Sequence, residues 1–341
     1  MKAITITGGG LAGLSLGIAL RRHDVPVTLH EAGSYPRHRV CGEFICGVKS
    51  STLEALDIAP YFNDARANRT TSWYFRGRKI LQRPLPRAAI GLSRHALDAR
   101  LATAFEAAGG VLHTQSRINQ NEDPGEGRIR CTGRRTTMES PWLGLKCHVV
   151  GMELHDDLEI HVGRNSYCGA SRVEGNRVNV CGLFRRQPDL TAPRSALLGT
   201  YLRASRLETL ADRIAAAEVD PSSHCGVAHL AFQGHWRSTP GLALGDHIAH
   251  IPPFTGNGMS MAFESAEAVL ASLLAYAAGE ATWPETVNRA QGALNRRFKR
   301  RLGNALLLHP MIHHPLLQPL TLGAGRLGIL PFKSLFNLTH E

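Results

Sequence analysis

The sequence has no apolar run that approaches the roughly 20 residues a membrane-spanning helix needs, which argues against a membrane-spanning chain. Its first residues are apolar but reach three glycines at once, without the longer apolar run and cleavage site of a secretory signal. It also has no zinc-finger spacing, no RNP signature and no lysine-rich tail, which argues against nucleic acid as a partner. We therefore expect a cytoplasmic protein that does not bind nucleic acid.

Metal-site and disulfide patterns are missing as well. The seven cysteines are scattered and form no CxxC pair, so free thiols in a reducing compartment are expected. His309, His313 and His314 have no supporting ligands in the sequence, and we predict no metal site.

What is present is an ordinary globular composition with an excess of positive charge. The 341 residues suffice for one large domain or two coupled ones. Because 43% of the residues are hydrophobic and 20% charged, extended disorder is excluded. The formal net charge of +11 favours anionic membrane surfaces or phosphorylated ligands, and a solvated basic surface accounts for it equally well.

The first segment combines a strand, a glycine turn, a helix and an acid. Residues 4–7 are β-rich, Gly8, Gly10 and Gly13 follow, and helical periodicity then leads to a second β-rich run that ends at Glu31. This setting of GxGxxG is typical of a dinucleotide site. The glycines allow a tight turn and a close approach to pyrophosphate, the helix N-terminus attracts phosphate, and the acid accepts hydrogen bonds from ribose.

A second unit of the same kind favours FAD over NAD. Residues 241–245 form an apolar run that ends in Gly245-Asp246, and a turn with Gly256 and Gly258 leads into a helical pattern from Met259. An NAD dehydrogenase does not need this unit, whereas in a flavoenzyme Asp246 can bind the ribityl hydroxyls. The helix N-terminus can then stabilise negative charge on the reduced flavin ring.

Three stretches carry a family resemblance. Residues 245–258, GDHIAHIPPFTGNG, match a GD…PxTGxG pattern, residues 39–43 read RVCGE, and residues 93–101 read SRHALDARL. Together they resemble the FAD-binding superfamily of p-hydroxybenzoate-hydroxylase-type monooxygenases, flavin halogenases and geranylgeranyl reductases. The first two are similar to the geranylgeranyl-reductase group, and the third resembles the family helix whose arginine lies near the cofactor.

The resemblance implies an α/β fold with a discontinuous, glutathione-reductase-like Rossmann domain for FAD. We expect this domain at 1–70, 90–140 and 236–280, a substrate domain with an antiparallel sheet at 71–89 and 141–235, and a C-terminal helical cap at 281–341. The residues predicted to bind FAD are Gly8, Gly10, Leu11, Ala12, Gly13, Glu31, Ala32, Arg39, Cys41, Arg94, Ile118, Gly245, Asp246, Pro253, Gly256, Asn257, Gly258 and Met259.

The middle of the chain reads as short strands joined by turns between residues 144 and 184, which predicts an antiparallel meander over the substrate pocket. Lys146 and His148 lie on one side of their strand. Either can meet substrate, but we expect an exposed strand face. Cys168 and Cys181 are expected to be small core residues rather than nucleophiles. We assign no catalytic residue.

One segment departs from the family pattern. Residues 129–136, IRCTGRRT, stand where the superfamily usually has an Asp-Gly motif after a strand. In relatives that motif is associated with pyrophosphate contacts and with nicotinamide use. The departure leaves two alternatives open, which are direct reduction by NAD(P)H and reduction by a separate flavin reductase or electron donor.

The C-terminal part is basic at 296–301 and then apolar, and its prolines at 310, 315, 319 and 331 exclude one long helix. Short amphipathic pieces of this kind can contact a membrane surface peripherally or cover a lipophilic substrate. They can equally pack on the FAD domain as a helical cap, which is the interpretation we prefer.

We predict an FAD-dependent monooxygenase that acts on a hydrophobic, lipophilic or aromatic small molecule, because hydroxylation is the commoner activity of the architecture that the resemblance implies. Such chemistry uses the cofactor and a dry pocket, so the absence of a catalytic triad in the sequence fits it. A flavin-dependent reductase of prenyl-type double bonds is the alternative, and the motif register favours that group. A non-catalytic flavin-binding partner protein is the second alternative. Halogenation is disfavoured because no WxWxIP motif occurs.

Overall fold

The structure is a computed structural model and describes residues 1–118, 125–134, 137–232, 241–248, 251–253, 256–314 and 317–340. Its strands are β1 (Ile4–Thr7), β2 (Val27–His30), β3 (Phe44–Ile45), β4 (Arg66–Phe75), β5 (Arg78–Gly91), β6 (Val111–His113), β7 (Arg128–Arg130), β8 (Trp142–Val150), β9 (Leu158–Gly163), β10 (Ser166–Val173), β11 (Arg177–Arg185), β12 (Glu218–Val219), β13 (Cys225–Ala228) and β14 (Leu242–Ala243). Its helices are α1 (Leu11–Arg21), α2 (Ser50–Ala55), α3 (Arg94–Ala107), α4 (Leu197–Ala204), α5 (Glu208–Ala215), α6 (Gly258–Ala277), α7 (Trp283–Leu308), α8 (Pro310–His313), α9 (Leu317–Arg326) and α10 (Phe332–His340).

A five-stranded sheet forms the first layer, in the order β14-β7-β1-β2-β6. Its neighbouring strands pair in parallel. Ile4 and Ile6 of the central strand are fully buried, as expected for a parallel sheet covered by helices. Helices α1, α3 and α6 pack with this sheet in one core, so the carboxyl ends of β1 and β14 lie next to the helices that follow them.

A second, larger sheet runs in the order β12-β8-β11-β10-β9-β4-β5-β3, with β13 also paired to β8. Strands β9, β10 and β11 form antiparallel hairpins. The prediction of a simple meander from 144 to 184 was wrong for the first strand, because β8 pairs with β11. The edge of β9 that β8 would occupy in a meander pairs in parallel with β4. Helices α4 and α5 cover one face of this sheet.

The C-terminal part is helical and is interrupted at its prolines. Helix α7 begins with a capping box between Thr282 and Glu285 and ends just before Pro310. Helix α10 returns to α7, where Arg301 Nη2 donates a hydrogen bond to the His340 carbonyl oxygen at 2.8 Å. Within the described ranges, no helix has the length and apolar character needed to cross a membrane.

Candidate functional site

A cavity of about 830 Å³ is lined by residues of both sheets and of the C-terminal helices. All of the residues predicted to bind FAD line this cavity except Gly13 and Asn257. Segments separated by more than 200 residues in the sequence therefore meet in one space. That the lining residues bind FAD stays a prediction.

The turn between β1 and α1 explains the spacing of its glycines. Gly8 has φ +108°, and a Cβ on it would lie 2.3 Å from the Cys131 carbonyl oxygen. A Cβ on Gly13 would lie 2.1 Å from the carbonyl oxygen of Gly8. By contrast, a Cβ on Gly10 would meet only Arg94 Nη2, at 3.8 Å, within the described part of the chain. Gly8 and Gly13 are thus needed for the turn, whereas Gly10 leaves room for a ligand at the helix N-terminus.

Glu31 follows β2 and is buried beside this turn. One of its oxygens accepts a hydrogen bond from the Gly9 N–H, and the other accepts from the Gly33 N–H, both at 2.8 Å. Arg37 Nη2 lies 2.5 Å from the same carboxylate. Burial on its own raises the pKa of Glu31, but these N–H groups and the nearby guanidinium groups lower it overall. The carboxylate is therefore ionised, as an acceptor of ribose hydroxyls has to be.

Arginines surround the same helix N-terminus. Arg94 pairs with Asp98 through Nε at 2.6 Å and Nη2 at 2.7 Å, and Arg39 Nε donates to Asp98 at 3.0 Å. Arg39 Nη2 and Arg37 Nε are buried and find no hydrogen-bond acceptor among the described residues. Three guanidinium groups face the two carboxylates of Glu31 and Asp98. The surplus cation and the unused donors fit a ligand that carries phosphate.

The second glycine unit is built as the sequence predicts. Gly245 follows β14 with φ +60°, and Gly256 precedes α6 with φ +68°. A Cβ on Gly258 would lie 3.9 Å from Asp246 Oδ1, so the carboxylate is close to the first turn of α6. Asn257 is buried behind the cavity, where its side-chain amide donates to the Thr339 carbonyl oxygen. Phe254 and Thr255 of the motif lie outside the described residues.

A buried charge cluster formed by Glu43, Lys146 and His148 corrects one expectation. The three side chains are fully buried, and Glu43 lies 2.6 Å from Lys146 Nζ and 2.5 Å from His148 Nε2. The expectation that Lys146 and His148 form an exposed strand face was therefore wrong. The loop that carries Glu43 covers that face of β8. The only sequence signal for this contact is the pairing of charges, an acid in one motif and two basic groups on a later strand.

Electrostatics keep the Glu43 carboxylate of this cluster ionised. Burial on its own raises the pKa of Glu43, but the Lys146 ammonium and His148 lower it to about 2. The Arg94 N–H also donates to Glu43 at 2.9 Å. Because Glu43 lines the cavity, the cluster ties the loop between β2 and β3 to β8 directly beside the site.

The rest of the cavity wall is mainly apolar. Side chains of the second sheet and its loops contribute Trp73, Leu158, Ile160, Leu183, Leu230 and Phe232. Cys168 is fully buried, which confirms its expected place in the core. Cys181 is partly exposed and lines the cavity, and burial raises the pKa of its thiol to about 12. A thiol with that pKa is a poor nucleophile near neutral pH.

The segment that departs from the family pattern also lines the cavity. Thr132 Oγ1 lies 2.7 Å from His247 Nδ1, and Arg134 Nη2 donates to the Val40 carbonyl oxygen at 2.8 Å. A neutral hydroxyl and a guanidinium therefore lie in the segment where the resemblance leads us to expect a carboxylate. Arg135 and Thr136 lie outside the described residues.

Comparisons with solved structures find the same fold in other proteins. Pseudomonas aeruginosa PqsL in complex with 2-aminobenzoylacetate is 15% identical over 96% of this chain and 98% of that chain, with a TM-score of 0.72. Klebsiella pneumoniae HpxO with FAD and uric acid is 14% identical over 99% of this chain and 96% of that chain, with a TM-score of 0.77. The geranylgeranyl bacteriochlorophyll reductase-like protein of Thermoplasma acidophilum is 15% identical over 99% of this chain and 96% of that chain, with a TM-score of 0.71.

No protein-family model and no curated protein sequence matches the chain. The likeness therefore concerns the fold, and it confirms the predicted α/β class with a Rossmann-type domain and an antiparallel sheet. The chain has the fold of PqsL, described as a probable FAD-dependent monooxygenase, of HpxO, which is described with FAD, and of the geranylgeranyl bacteriochlorophyll reductase-like protein.

Proposed function

We propose that the chain is an FAD-dependent monooxygenase that acts on a lipophilic or aromatic small molecule. The observation that carries the proposal is the single cavity of about 830 Å³ that combines two glycine turns at helix N-termini with a mainly apolar wall. A dinucleotide needs the first part and an apolar substrate needs the second. PqsL and HpxO, which share the fold, are described with 2-aminobenzoylacetate and with uric acid.

The residues fit FAD in two halves. Gly10, Arg39 and Arg94 suit the pyrophosphate, because they offer N–H donors and cations. Glu31 suits the adenosine ribose, because its ionised carboxylate accepts hydrogen bonds. Asp246 suits the ribityl chain, and the N-terminus of α6 suits the pyrimidine edge of the flavin. When bound, FAD supplies the electron transfer and oxygen chemistry of the reaction.

The chain's own contribution is to bind, orient and exclude water. The apolar side chains of the second sheet and of α10 keep the reacting centre dry, which strengthens electrostatic interactions inside the cavity. The N-terminal end of the α6 dipole would stabilise negative charge at the edge of a bound flavin. No side chain has to act as a nucleophile, in agreement with the raised pKa values of the Cys41 and Cys181 thiols.

The visible absorption spectrum of the purified chain tests the cofactor. We expect a bound flavin spectrum, and after reduction and admission of O₂ we expect one oxygen atom of O₂ to be incorporated into an added aromatic substrate, in place of the H₂O₂ that reduced flavin forms without substrate. A spectrum without flavin, even after soaking with FAD, would contradict the proposal. A flavin that no donor reduces would favour the non-catalytic alternative.

A reductase of prenyl-type double bonds is the second candidate. Cys41, in the loop that resembles the geranylgeranyl-reductase group, lines the cavity beside Glu43. The two candidates differ in their use of oxygen. A reductase converts its substrate anaerobically, whereas a monooxygenase converts it only when O₂ is admitted.

We further propose that a separate reductase or donor delivers the electrons. Thr132 and Arg134 occupy the place of the family's Asp-Gly motif, so the contacts associated with nicotinamide use are changed. Anaerobic addition of NADPH or NADH should leave the flavin oxidised until a flavin reductase is added. Direct reduction of the flavin by either nucleotide would contradict the separate electron donor and leave the proposed monooxygenase activity intact.

We also propose that the enzyme works at a membrane surface, with its C-terminal helices as the contact. Their position beside the cavity supports this, because a lipophilic substrate partitions into membranes.

A further inference from the structure

The charged residues of the C-terminal segment 296–338 are all Lys or Arg. Between Thr286 and His340 the sequence contains eight Lys and Arg residues and no Asp or Glu. Two of them, Arg297 and Arg301, pair with Glu267 and Glu264 of α6. The others with exposed side chains in segment 296–338 are Arg296, Lys299, Arg300, Arg326 and Lys333. None of these five forms an ion pair within the described part of the chain, so they are available to an anionic surface.

The same segment holds most of the exposed large apolar side chains. Six of the nine found among the described residues lie in it. They are Leu307, Leu317, Leu320, Leu327, Ile329 and Leu338. Leu320 and Leu327 are 71% and 75% exposed. A concentration of apolar side chains on one surface segment marks a contact site, and its combination with cations alone is the composition of a segment that lies in a membrane interface.

At two places in this segment, an exposed residue is followed directly by a residue that lines the cavity. Leu307 is exposed while Leu308 lines the cavity, and Ile329 is exposed while Leu330 lines the cavity. Consecutive residues therefore point to solvent and to the candidate substrate space. A surface that covers Leu307 and Ile329 lies one residue away from the cavity.

A basic strand extends the charge of this surface. Helix α9 contacts β5, and Arg83 of β5 has its Nη2 3.6 Å from the position of a Cβ on Gly328. The apolar turn after α9 is thus bordered by a cation of another element. Anionic lipid head groups fit a border of this kind, since each Lys or Arg near such a membrane adds about 1 kcal/mol of attraction.

We infer that segment 296–338 docks on an anionic lipid surface, with Leu320, Leu327 and Ile329 inserted among the acyl chains and the arginines and lysines on the head groups. The inference deepens the proposed function, because it names the surface on which the enzyme meets a lipid-soluble substrate. It can be tested independently of that function, since vesicle binding requires neither reduction nor turnover.

Co-flotation of the FAD-loaded protein with phosphatidylcholine vesicles, with and without added phosphatidylglycerol, tests the docking. We expect binding to the anionic vesicles, weaker binding to the neutral ones, and release by high salt. The double variant Leu320→Ser/Leu327→Ser should bind at least roughly tenfold more weakly. Lys299→Gln/Arg300→Gln should lose a similar factor, roughly fivefold for each charge.

Matched controls keep the test specific. Met138 is 82% exposed and lies outside the segment, so Met138→Ser should leave vesicle binding unchanged, as should Arg66→Gln/Arg69→Gln on the exposed start of β4. All variants should retain the wild-type melting temperature and flavin spectrum, because the replaced side chains are exposed.

Three results would overturn the inference. These are no binding of the wild type to anionic vesicles, equal binding of the segment variants, or binding of an acidic acyl carrier protein through Lys299 and Arg300 in place of lipid. Vesicle binding without any transfer of oxygen to a substrate would refute the proposed monooxygenase activity and leave the docking intact.

Discussion

At the scale of single residues, the two glycines at the start of the first turn have different tasks. Gly8 has a left-handed φ and no space for a Cβ, while Gly10 has space and faces the cavity. The sequence motif predicts the same division, with the tight turn at Gly8 and the approach to pyrophosphate at Gly10.

We expect Gly8→Ala to lower the stability of the cofactor-free protein and Gly10→Val to spare it. In Gly8→Ala the backbone strain alone costs about 1–3 kcal/mol, before the clash with Cys131. Gly10→Val should reduce FAD affinity by more than roughly tenfold, since it fills the space next to Arg94 where pyrophosphate would lie. Thermal melts without FAD and titration with FAD separate the two effects, and equal melting temperatures for both variants would contradict the assignment.

The buried Glu43 cluster predicts a large loss of folding stability on mutation of Glu43, which a second mutation should partly reverse. Glu43→Gln should destabilise the protein by about 3–5 kcal/mol, because it leaves the Lys146 ammonium buried without a counter-charge. The double variant Glu43→Gln/Lys146→Met should recover a large part of that loss. Urea denaturation measures both, and Glu218→Gln, at an exposed carboxylate, is the control with little effect. If the double variant is no more stable than the single one, the pair is not the source of the loss.

At the scale of elements, the two helices that begin at the cavity depend on what surrounds their first turns. The α1 N-terminus is flanked by arginines, and the α6 N-terminus is closed by the end of α10 through Asn257 and Thr339. Helix α10 therefore belongs to the site as well as to the C-terminal cap, which periodicity and proline positions did not indicate.

Removal of α10 by ending the chain after Leu330 should lower the melting temperature and expose the flavin. The truncation deletes the carbonyl oxygens that accept from Asn257 and Arg301, and a buried donor left without an acceptor costs about 1–3 kcal/mol. Iodide quenching of flavin fluorescence should rise in the truncated protein, whereas Leu338→Ser, at an exposed position of α10, should behave as the wild type. Unchanged quenching would show that α10 does not cover the site.

At the scale of the whole molecule, the contact between the two layers should weaken in acid. Burial, together with the charges of Lys146 and His148, lowers the pKa of His38 to about 4 from its usual 6.5. A lowered pKa means that the unfolded chain binds a proton first, so stability falls as the pH drops from about 6.5 towards 4. Glu43 and Glu159, each with a pKa near 2, add a second loss below about pH 4.5.

Urea midpoints measured between pH 6.5 and 4 test the loss of stability that is attributed to His38. We expect a steady decrease below pH 6.5 in the wild type and a shallower decrease in His38→Gln. His23, which is exposed, provides the control variant His23→Gln with the wild-type profile. A flat wild-type midpoint between pH 6.5 and 4 would contradict a neutral buried His38.

Local patterns determined much of this protein. The β-rich runs before Gly8 and Gly245, the helices after them and the helix that begins at Arg94 form as predicted, and Ser93 caps that last helix. They could be predicted because each depends on residues within about one turn of the chain, such as a glycine with positive φ or a side chain that accepts from a nearby N–H.

Only the tertiary structure decided which distant segments meet. Three contacts are of this kind: the pairing of β8 with β11, the burial of Lys146 and His148 against Glu43, and the contact between the start of α6 and α10. The hydrogen-bonded residues are 82 to 105 positions apart in the sequence. Strands β9 and β10 lie between β8 and β11 in the sequence. Such contacts follow from how the sheets stack and from the free energy of burying charge only as a pair. No periodicity along the sequence encodes them, so the sequence predicts which residues belong to the candidate site but not how that site is enclosed.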